Sequence, residues 1–509
     1  MWFALAKPFK RNVSFMKFER SAGVLLHPTS LPGRYGIGDI GPQAYHFIDY
    51  LVGAGIKLWQ VLPLGPTGYG DSPYQAFSAF AGNPYLISPD LLLKDGLLHA
   101  DDLVEELDLP VEYVDFGRVI SFKLNLLERA FSRFVPDRGP VRRDYDIFCA
   151  ENRNWLDDYA LFMAIKESLG GGPWENWPTE LRRREEDALD EMRTKLSHAI
   201  MRFSFYQFIF FRQWNALHVY ANEHAVQIIG DIPIFVSYDS SDVWANADLF
   251  CLDEVGTPIV VAGVPPDYFS PTGQLWGNPL YRWSVHKERG YDWWLTRFNA
   301  ALKMVDIVRL DHFRGFAGYW EVPAGSPTAE IGRWVPGPAA DFFNAIQNGL
   351  GKLPIIAEDL GEITPDVFEL RDQFELPGMK ILQFAFSGPD NQFLPHYYPE
   401  NCVVYTGTHD NDTVQGWYDS TSEYERDFVR RYLNVKGDDI AWDLMRAAWD
   451  SRAVWALAPM QDILGLGGEG RMNFPGKAMG NWSWRMTEDA FSSALESRLR
   501  ELTQNAGRC

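Results

Sequence analysis

The sequence predicts an α/β protein, a (β/α)8 barrel with large, mainly helical insertions between its strands. Three observations support this fold class. Eight short apolar runs are typical of buried parallel strands, helix-like segments lie between many of them, and three of the runs lead into an acidic residue at their carboxyl end. An open, doubly wound sheet also alternates strands and helices, so the pattern favours the barrel without excluding the open sheet.

The predicted strands are continuous and apolar, as expected when helices cover the outer face of a sheet. They span residues 23–27, 58–62, 226–231, 307–311, 355–358, 380–384, 403–405 and 454–457. Helical periodicity between them predicts helices over 44–52, 293–304, 339–348, 365–374 and 424–433.

The second and third predicted strands are too far apart in the chain for an ordinary connection, which has roughly two to six residues. This stretch, about 66–222, is expected to be an insertion with its own helices over 121–134, 144–152, 155–168 and 182–223. A second insertion is expected at about 237–291. The domain prediction is an N-terminal extension over 1–20 and one catalytic domain over 21–509, without a separate C-terminal β domain.

Composition narrows the class of function. The 509 residues are 46% hydrophobic and 15% aromatic, which allows a large core. The net charge of −21 argues against nucleic acid or an anionic membrane as a partner. Four cysteines without paired spacing indicate a reducing compartment, and no apolar stretch approaches membrane-spanning length. We therefore expect a cytoplasmic protein. The basic start of the chain also leaves a short organelle-targeting segment open.

Acidic residues at three predicted strand ends suggest catalysis. Asp311, Glu358 and Asp410 would meet at the mouth of a barrel, where such enzymes place their catalytic groups. Side chains alternate along a strand, so Arg309 shares a face with Asp311 and would keep that acid ionised, as a nucleophile requires. Glu358 emerges from an apolar run that favours its protonated form, which suits a general acid. Two carboxyl groups in different protonation states are what glycosidic bond cleavage needs.

Two segments rich in aromatic and turn-forming residues fit a sugar substrate. Sugar rings pack their C–H faces on aromatic side chains, and their hydroxyls need polar partners. We expect residues 68–75, and residues 263–279 with Tyr268, Phe269 and Trp276, to be loops at the mouth that contact the substrate.

Two other chemistries are not favoured. Residues 465–470 match a dinucleotide-binding fingerprint in letters, but no strand–helix–strand unit surrounds them. The pairs Asp311-His312, Glu358-Asp359 and His409-Asp410 match no metal motif, and hydroxyl-binding histidines explain them equally well. The sequence therefore predicts no metal and no cofactor.

These motifs resemble those of the 4-α-glucanotransferases, also called amylomaltases or disproportionating enzymes, of glycoside hydrolase family 77. The resemblance runs from about residue 21 to 485. It is carried by Gly23-Val-Leu-Leu-His27-Pro-Thr-Ser-Leu-Pro, Tyr69-Gly-Asp-Ser-Pro-Tyr-Gln, Gly230-Asp231-Ile-Pro-Ile, Gly263-Val-Pro-Pro-Asp-Tyr-Phe-Ser, Arg309-Leu-Asp-His-Phe-Arg-Gly, Ala357-Glu-Asp-Leu-Gly and Thr408-His-Asp-Asn.

The resemblance implies roles for named residues. Asp311 is then the nucleophile, Glu358 the acid/base, and Asp410 the residue that holds sugar hydroxyls and stabilises the transition state. It also implies sugar-contacting residues: Ser72, Tyr74, Asp231, Trp276, Arg309, His312, His409 and Asn473. We further expect the segment bearing Tyr268 and Phe269 to act as a lid over the acceptor site.

The expected reaction is retaining transfer between α-1,4-glucans and maltooligosaccharides, with glucose as the smallest acceptor. Two alternatives stay open at this point. A hydrolase of the α-amylase type would share the three acids, although it would be expected to carry a separate β-rich domain after the eighth strand. A catalytically silent glucan-binding protein would not need the acids at all.

Overall fold

The fold is a closed barrel of eight parallel strands with a second, antiparallel sheet beside it. A computed structural model describes residues 18–103, 108–135, 139–266, 270–477 and 479–509. The strands within these ranges are β1 (Ser21–Leu25), β2 (Leu58–Gln60), β3 (Gln227–Ile232), β4 (Val260–Val264), β5 (Gln274–Pro279), β6 (Ile307–Leu310), β7 (Gly318–Pro323), β8 (Arg333–Pro336), β9 (Ile355–Ala357), β10 (Gly378–Ile381), β11 (Cys402–Tyr405) and β12 (Trp455–Pro459).

The barrel confirms the predicted fold class. Its strands follow the order β1, β12, β11, β10, β9, β6, β3 and β2, and β2 closes the ring against β1. Each of the eight predicted strands coincides with one of these, with ends that differ by up to three residues. The largest difference is at 380–384, because Leu382–Ser387 is a 3-10 helix that follows β10. An apolar run alone does not distinguish a strand from a buried helical turn.

The barrel interior is filled by side chains from all around the ring. These residues are buried and form one cluster: Leu58, Ile229, Ile307, Ile356, Met379, Ile381, Val403, Tyr405, Trp455 and Leu457. Gly23 faces the same interior, where a Cβ would lie only 2.8 Å from Leu58 Cβ. The barrel interior is therefore a packed core and not a channel.

Helices surround the barrel and form the insertions. Their bounds are α1 (Pro42–Gly53), α2 (Pro89–Lys94), α3 (Phe116–Phe134), α4 (Pro140–Glu151), α5 (Arg153–Ser168), α6 (Thr179–Arg182), α7 (Glu186–Lys195), α8 (Ser197–Glu223), α9 (Ser241–Ala245), α10 (Trp283–Glu288), α11 (Asp292–Met304), α12 (Arg314–Ala317), α13 (Ala339–Leu350), α14 (Pro365–Gln373), α15 (Val414–Ser420), α16 (Glu423–Leu433), α17 (Ile440–Asp450), α18 (Met460–Ile463) and α19 (Ser493–Asn505). Within the described ranges, none of these helices combines the length and hydropathy needed to cross a bilayer.

The long helix predicted over 182–223 is wrong as a single element. The structure has α6, α7 and α8 there, and the chain turns at Arg184, which has a left-handed φ of 55°. The Arg184 guanidinium packs 4.1 Å from the Trp244 ring centroid and pairs with Asp158 at 2.5 Å. These tertiary contacts stabilise the break, and no local sequence pattern reveals them.

The second sheet was not predicted. Strands β5, β4, β7 and β8 pair antiparallel in that order. The interpretation of 263–279 as a loop is therefore wrong at both ends, because Gly263 lies on β4, and Trp276 and Asn278 lie on β5. Strands β4 and β5 form a hairpin, but β7 comes from beyond β6, and such distant pairing leaves no local signal.

Candidate active site

Asp311 and Glu358 lie side by side at the carboxyl end of the barrel. Strands β6 and β9 are parallel neighbours in which Leu310 is in register with Ala357, so the residues that follow them emerge together. The Phe313 N–H donates to the Glu358 backbone oxygen at 3.0 Å. The two acids therefore share one edge of the barrel, as their strand positions predicted.

The backbone at His312 bends toward the Glu358 side chain. His312 has a left-handed φ of 49°, which is uncommon outside glycine. Its N–H donates to Glu358 Oε2 at 2.7 Å, and the Leu360 N–H donates to Oε1 at 3.1 Å. Gly315 packs beneath this bend, since a Cβ there would lie 3.1 Å from His312 Cδ2. The residue after Asp311 thus fixes the orientation of Glu358.

Arg309 joins two carboxylates. Its Nη1 lies 2.9 Å from Asp311 Oδ1 and 2.6 Å from Asp231 Oδ2. The Arg309 side chain is 4% exposed and that of Asp231 is 0% exposed, whereas Asp311 is 27% exposed toward the mouth. Arg309 and Asp311 share a strand face, as predicted. One guanidinium charge is therefore divided between two acids.

Burial raises the pKa of Glu358 to about 8. Arg309 and the His312 N–H favour the charged form, while the negative charge of Asp311 disfavours it. Burial is the largest of these effects, and the nearby cation, Arg309, does not offset it. Glu358 thus holds its proton near neutral pH, as a general acid requires.

Tyr74 and Asp231 extend this network along the mouth. The Tyr74 hydroxyl donates to Asp231 Oδ2 at 2.9 Å, and Asp231 Oδ1 is buried without a protein partner. Burial raises the pKa of Asp231 to about 7, although Arg309 opposes the rise. Burial also raises the pKa of Tyr74 well above its usual value, with contributions from Asp231, Asp311 and Asp410. Tyr74 therefore stays a hydrogen-bond donor.

Asp410 lies on the loop after β11. Its side chain is 48% exposed, and its Oδ1 accepts a hydrogen bond of 2.6 Å from Asn473 Nδ2. Arg471 Nη2 donates to the Asp410 backbone oxygen at 2.9 Å, and His409 Nε2 lies 3.4 Å from Asp410 Oδ2. A distant segment, 471–473, therefore holds the third acid.

Aromatic rings border the carboxylates on two sides. Tyr74 stacks on His409, with centroids 5.1 Å apart, and Trp482 lies 5.8 Å from Tyr74. On the other side, the rings of Trp276 and His312 meet edge to face at 4.7 Å. Such surfaces suit the C–H faces of sugar rings.

Both histidines of the site are neutral near pH 7. Burial lowers the pKa of His312 to about 4 and also lowers the pKa of His409. His312 Nε2 is buried without a protein partner. A neutral imidazole with a free nitrogen can exchange hydrogen bonds with a ligand hydroxyl.

The structure therefore brings most of the predicted site residues together: Tyr74, Asp231, Trp276, Arg309, Asp311, His312, Glu358, His409, Asp410 and Asn473. The Ser72 hydroxyl accepts from the Tyr74 N–H at 3.2 Å, so its described contact is within its own turn. The predicted lid residues Tyr268 and Phe269 lie outside the described residues. Across the described part of the chain, no group of three or more His, Cys, Asp or Glu side chains could hold a metal ion.

Two buried acids support the site although the sequence analysis assigned neither of them a role in it. Asp462 accepts hydrogen bonds from the Thr406 hydroxyl at 2.6 Å and the Val414 N–H at 2.7 Å, and so holds both ends of the loop bearing Asp410. Asp359 accepts from the Met379 N–H at 2.7 Å and pairs with Arg371 at 2.6 Å. Asp462 lies three residues after the apolar strand β12. This position beyond a strand end is the one sequence feature that indicates a residue near the barrel mouth.

The sequence of this chain also matches a known protein family. The sequence profile described as 4-alpha-glucanotransferase matches residues 26–491. The chain belongs to this family. The 4-alpha-glucanotransferase of Thermus thermophilus is 50% identical over 499 residues, which cover 96% of this chain and 99% of that protein. The Synechocystis 4-alpha-glucanotransferase is 49% identical over 496 residues, covering 96% and 98%.

Solved structures of the family have the same fold. The amylomaltase of Streptococcus agalactiae in complex with acarbose superimposes with a TM-score of 0.94 at 40% identity, covering 96% of this chain and all of that one. The amylomaltase of Corynebacterium glutamicum gives a TM-score of 0.76 at 18% identity, over 96% of this chain and 75% of that one, and shows the shared fold alone.

Proposed function

We propose that this chain is a 4-α-glucanotransferase that moves a segment of an α-1,4-glucan to the 4-hydroxyl of an acceptor glucan or glucose. The observation that carries the proposal is the pairing of Asp311 and Glu358 on adjacent strand ends, joined through the His312 N–H. Retaining glycosidases use two carboxyl groups about 5–5.5 Å apart on either side of the anomeric centre. The relatives' names indicate the same reaction.

In the first step, an Asp311 oxygen attacks the anomeric carbon of the donor. The bond from that carbon to the bridging oxygen breaks, and Glu358 gives its proton to the departing 4-oxygen. Arg309 compensates the charge of Asp311 before attack. The raised pKa of Glu358 keeps the proton available. The product is a covalent glycosyl-enzyme and a free glucan chain.

In the second step, Glu358 is a base. It removes the proton from the 4-hydroxyl of the incoming acceptor, whose oxygen attacks the anomeric carbon and releases Asp311. The α-1,4 bond forms again with its original configuration. Protein residues provide every group in this scheme, so we propose no metal or cofactor for it.

The other polar groups are assigned to the sugar. Asp410 is 48% exposed and is held by Asn473. We assign it to accept hydrogen bonds from hydroxyls of the donor sugar as oxocarbenium character develops. His312 and His409 are neutral and suited to the same hydroxyls. Trp276 and Tyr74 offer rings for sugar faces. Because these two residues belong to the insertions at about 237–291 and 66–222, we assign the insertions to the walls of the cleft.

Transfer to sugar in preference to water needs a dry acceptor site. We assign this role to the segment bearing Tyr268 and Phe269, on the basis of its aromatic, turn-rich sequence. Its flanks, Val264 on β4 and Gln274 on β5, pair with each other where the loop leaves the two strands. Trp276, on β5, contacts His312, which places the hairpin beside the site.

The products formed from maltotriose test the proposal. Transfer of a maltosyl unit from one maltotriose to another gives glucose and maltopentaose, and further transfers give other longer chains, whereas hydrolysis gives only maltose and glucose. Asp311→Asn and Glu358→Gln should each lower turnover at least about a hundredfold, since covalent or acid–base catalysis is lost. Wild-type enzyme that makes only maltose and glucose would contradict transfer and favour the hydrolase. Full activity in either variant would contradict the assigned roles.

A further inference from the structure

Arg314 connects the chain segments that follow the two catalytic acids of the proposed mechanism. It is the first residue of α12, three positions after Asp311, and is only 7% exposed. Its Nη1 donates to the Glu362 backbone oxygen at 2.7 Å, and Nη2 lies 3.3 Å from Thr364 Oγ1. Both partners belong to the loop that follows Glu358.

That loop has one apolar anchor, Ile363, which packs against the main core, and its polar anchors are few. Its residues 361–364 are exposed or partly buried, and Gly361 has a left-handed φ of 92°. In this stretch, which is fully described, the hydrogen bonds that reach another part of the chain come from Arg314. The loop begins immediately after Glu358, Asp359 and Leu360, so its position affects the acid/base.

Trp334 covers the other face of Arg314. The guanidinium carbon lies 3.9 Å from the centroid of the Trp334 ring, and this indole is 40% exposed on β8. A cation packed on a tryptophan face gains stability and loses freedom to rotate. The antiparallel sheet thus fixes the plane of the guanidinium that holds the loop.

We propose that Arg314 is a positioning residue that holds the loop 361–364 against the segment bearing Asp311 and so orients the acid/base, Glu358. The inference rests on the proposed function, because it assumes that Glu358 protonates the leaving oxygen. Arg314 is buried and acts on this step through the loop. Its loss lets the loop shift, and a displacement of about 1 Å at a reacting group costs on the order of a hundredfold in rate.

Two glycosyl donors, maltotriose and α-maltosyl fluoride, distinguish this positioning role from general support of the fold. With maltotriose, the bond from the anomeric carbon to the leaving 4-oxygen breaks while Glu358 supplies a proton. With α-maltosyl fluoride, Asp311 forms the same bond to carbon and fluoride leaves with its electron pair, so no proton is required. A misplaced Glu358 therefore slows the first donor selectively, whereas a generally damaged site slows both.

The experiment compares Arg314→Gln with the wild type, using steady-state turnover of maltotriose and the rate of the first burst of fluoride from α-maltosyl fluoride. We expect maltotriose turnover to fall by about a hundredfold, and the fluoride burst to stay within about threefold. Arg314→Lys keeps a charged hydrogen-bond donor at this position, so it should recover part of the lost maltotriose turnover. Trp334→Ala should show the same selectivity with a smaller effect. Because Trp334 is half-exposed, Trp334→Ala should fold normally, and it can replace Arg314→Gln in the test if that variant folds poorly.

Arg184→Gln is the matched control. Arg184 also packs on a tryptophan and bonds to an acceptor, but in the helical insertion, so its loss should lower the melting temperature without changing the ratio of the two rates. Equal losses on both donors in Arg314→Gln, or unchanged maltotriose turnover, would overturn the inference. Glu358→Gln must itself keep the fluoride burst. If it does not, the proposed role of Glu358 fails, and the positioning role of Arg314 fails with it.

Discussion

The His312 N–H donates to Glu358 Oε2 at 2.7 Å, which links the residue after the proposed nucleophile to the proposed acid/base. The bond requires a left-handed backbone at His312, with φ of 49°. Strain of this kind persists where the surrounding structure compensates it, and it is frequent at active sites. One local bend therefore sets the relation between the two catalytic carboxyls.

The pH dependence of turnover follows from Glu358. Its pKa is raised to about 8, so the protonated acid is present below that pH and is lost above it. We expect kcat/KM for maltotriose to fall as pH rises through about 8, and the fluoride burst from α-maltosyl fluoride to show no such fall. A decline that begins near pH 5, close to the ordinary pKa of a glutamate, would contradict the assignment.

Arg309 should be essential because it compensates two acids. Arg309→Met leaves Asp231 and Asp311 without their cation. We expect kcat to drop at least about a hundredfold and stability to fall by about 3–5 kcal/mol, as when one partner of a buried ion pair is removed. The double variant Arg309→Met/Asp231→Asn should regain much of the melting temperature but not the activity. Recovery of activity in the double variant would show that Arg309 acts only through stability.

The Tyr74 hydroxyl should matter for activity and not for folding. Tyr74→Phe removes the hydrogen bond to Asp231 Oδ2 but keeps the ring that stacks on His409. We expect kcat/KM to fall by about tenfold, the worth of about one hydrogen bond to a charged group, with little change in melting temperature. Tyr220→Phe is the control, because that hydroxyl also donates to an aspartate, Asp49, on an exposed helix face. A loss of equal size in the control would exclude a specific role for Tyr74.

Replacing Tyr268 and Phe269 together with Ala should raise the ratio of hydrolysis to transfer, because water then reaches the glycosyl-enzyme more easily. The ratio is measured from glucose, maltose and longer products formed from maltotriose. Replacing the exposed Ile331, which lies on a different connection, with Ala provides the comparison. If the double variant keeps the wild-type ratio, these residues do not exclude water from the site.

The barrel and its acids could be predicted because their signals are local. Each strand is a short apolar run, and the side-chain alternation that put Arg309 and Asp311 on one face needs only three residues. Asn473 came from the family resemblance as a sugar-contacting residue, and its hydrogen bond to Asp410, which spans 63 positions, was not predicted.

The remaining features depend on distant packing. The helix break at Arg184 is stabilised by contacts with Trp244 and Asp158. Strand β4 pairs with β7, although β6, a strand of the barrel, lies between them in the sequence. Arg314 stood within a recognised motif, but its partners Glu362 and Trp334 come from separate segments. Periodicity reports the face that a residue presents within its own element. It does not report which element will cover that face.

The most direct test of the central claim is to locate the covalent intermediate. Glu358→Gln is mixed with α-maltosyl fluoride, which can form the glycosyl-enzyme without an acid but cannot then use a base to discharge it. Peptide mass spectrometry should find one maltosyl group on the peptide that contains Asp311, attached to that residue. A maltosyl group on another side chain, or no adduct while fluoride is still released, would contradict double displacement at Asp311.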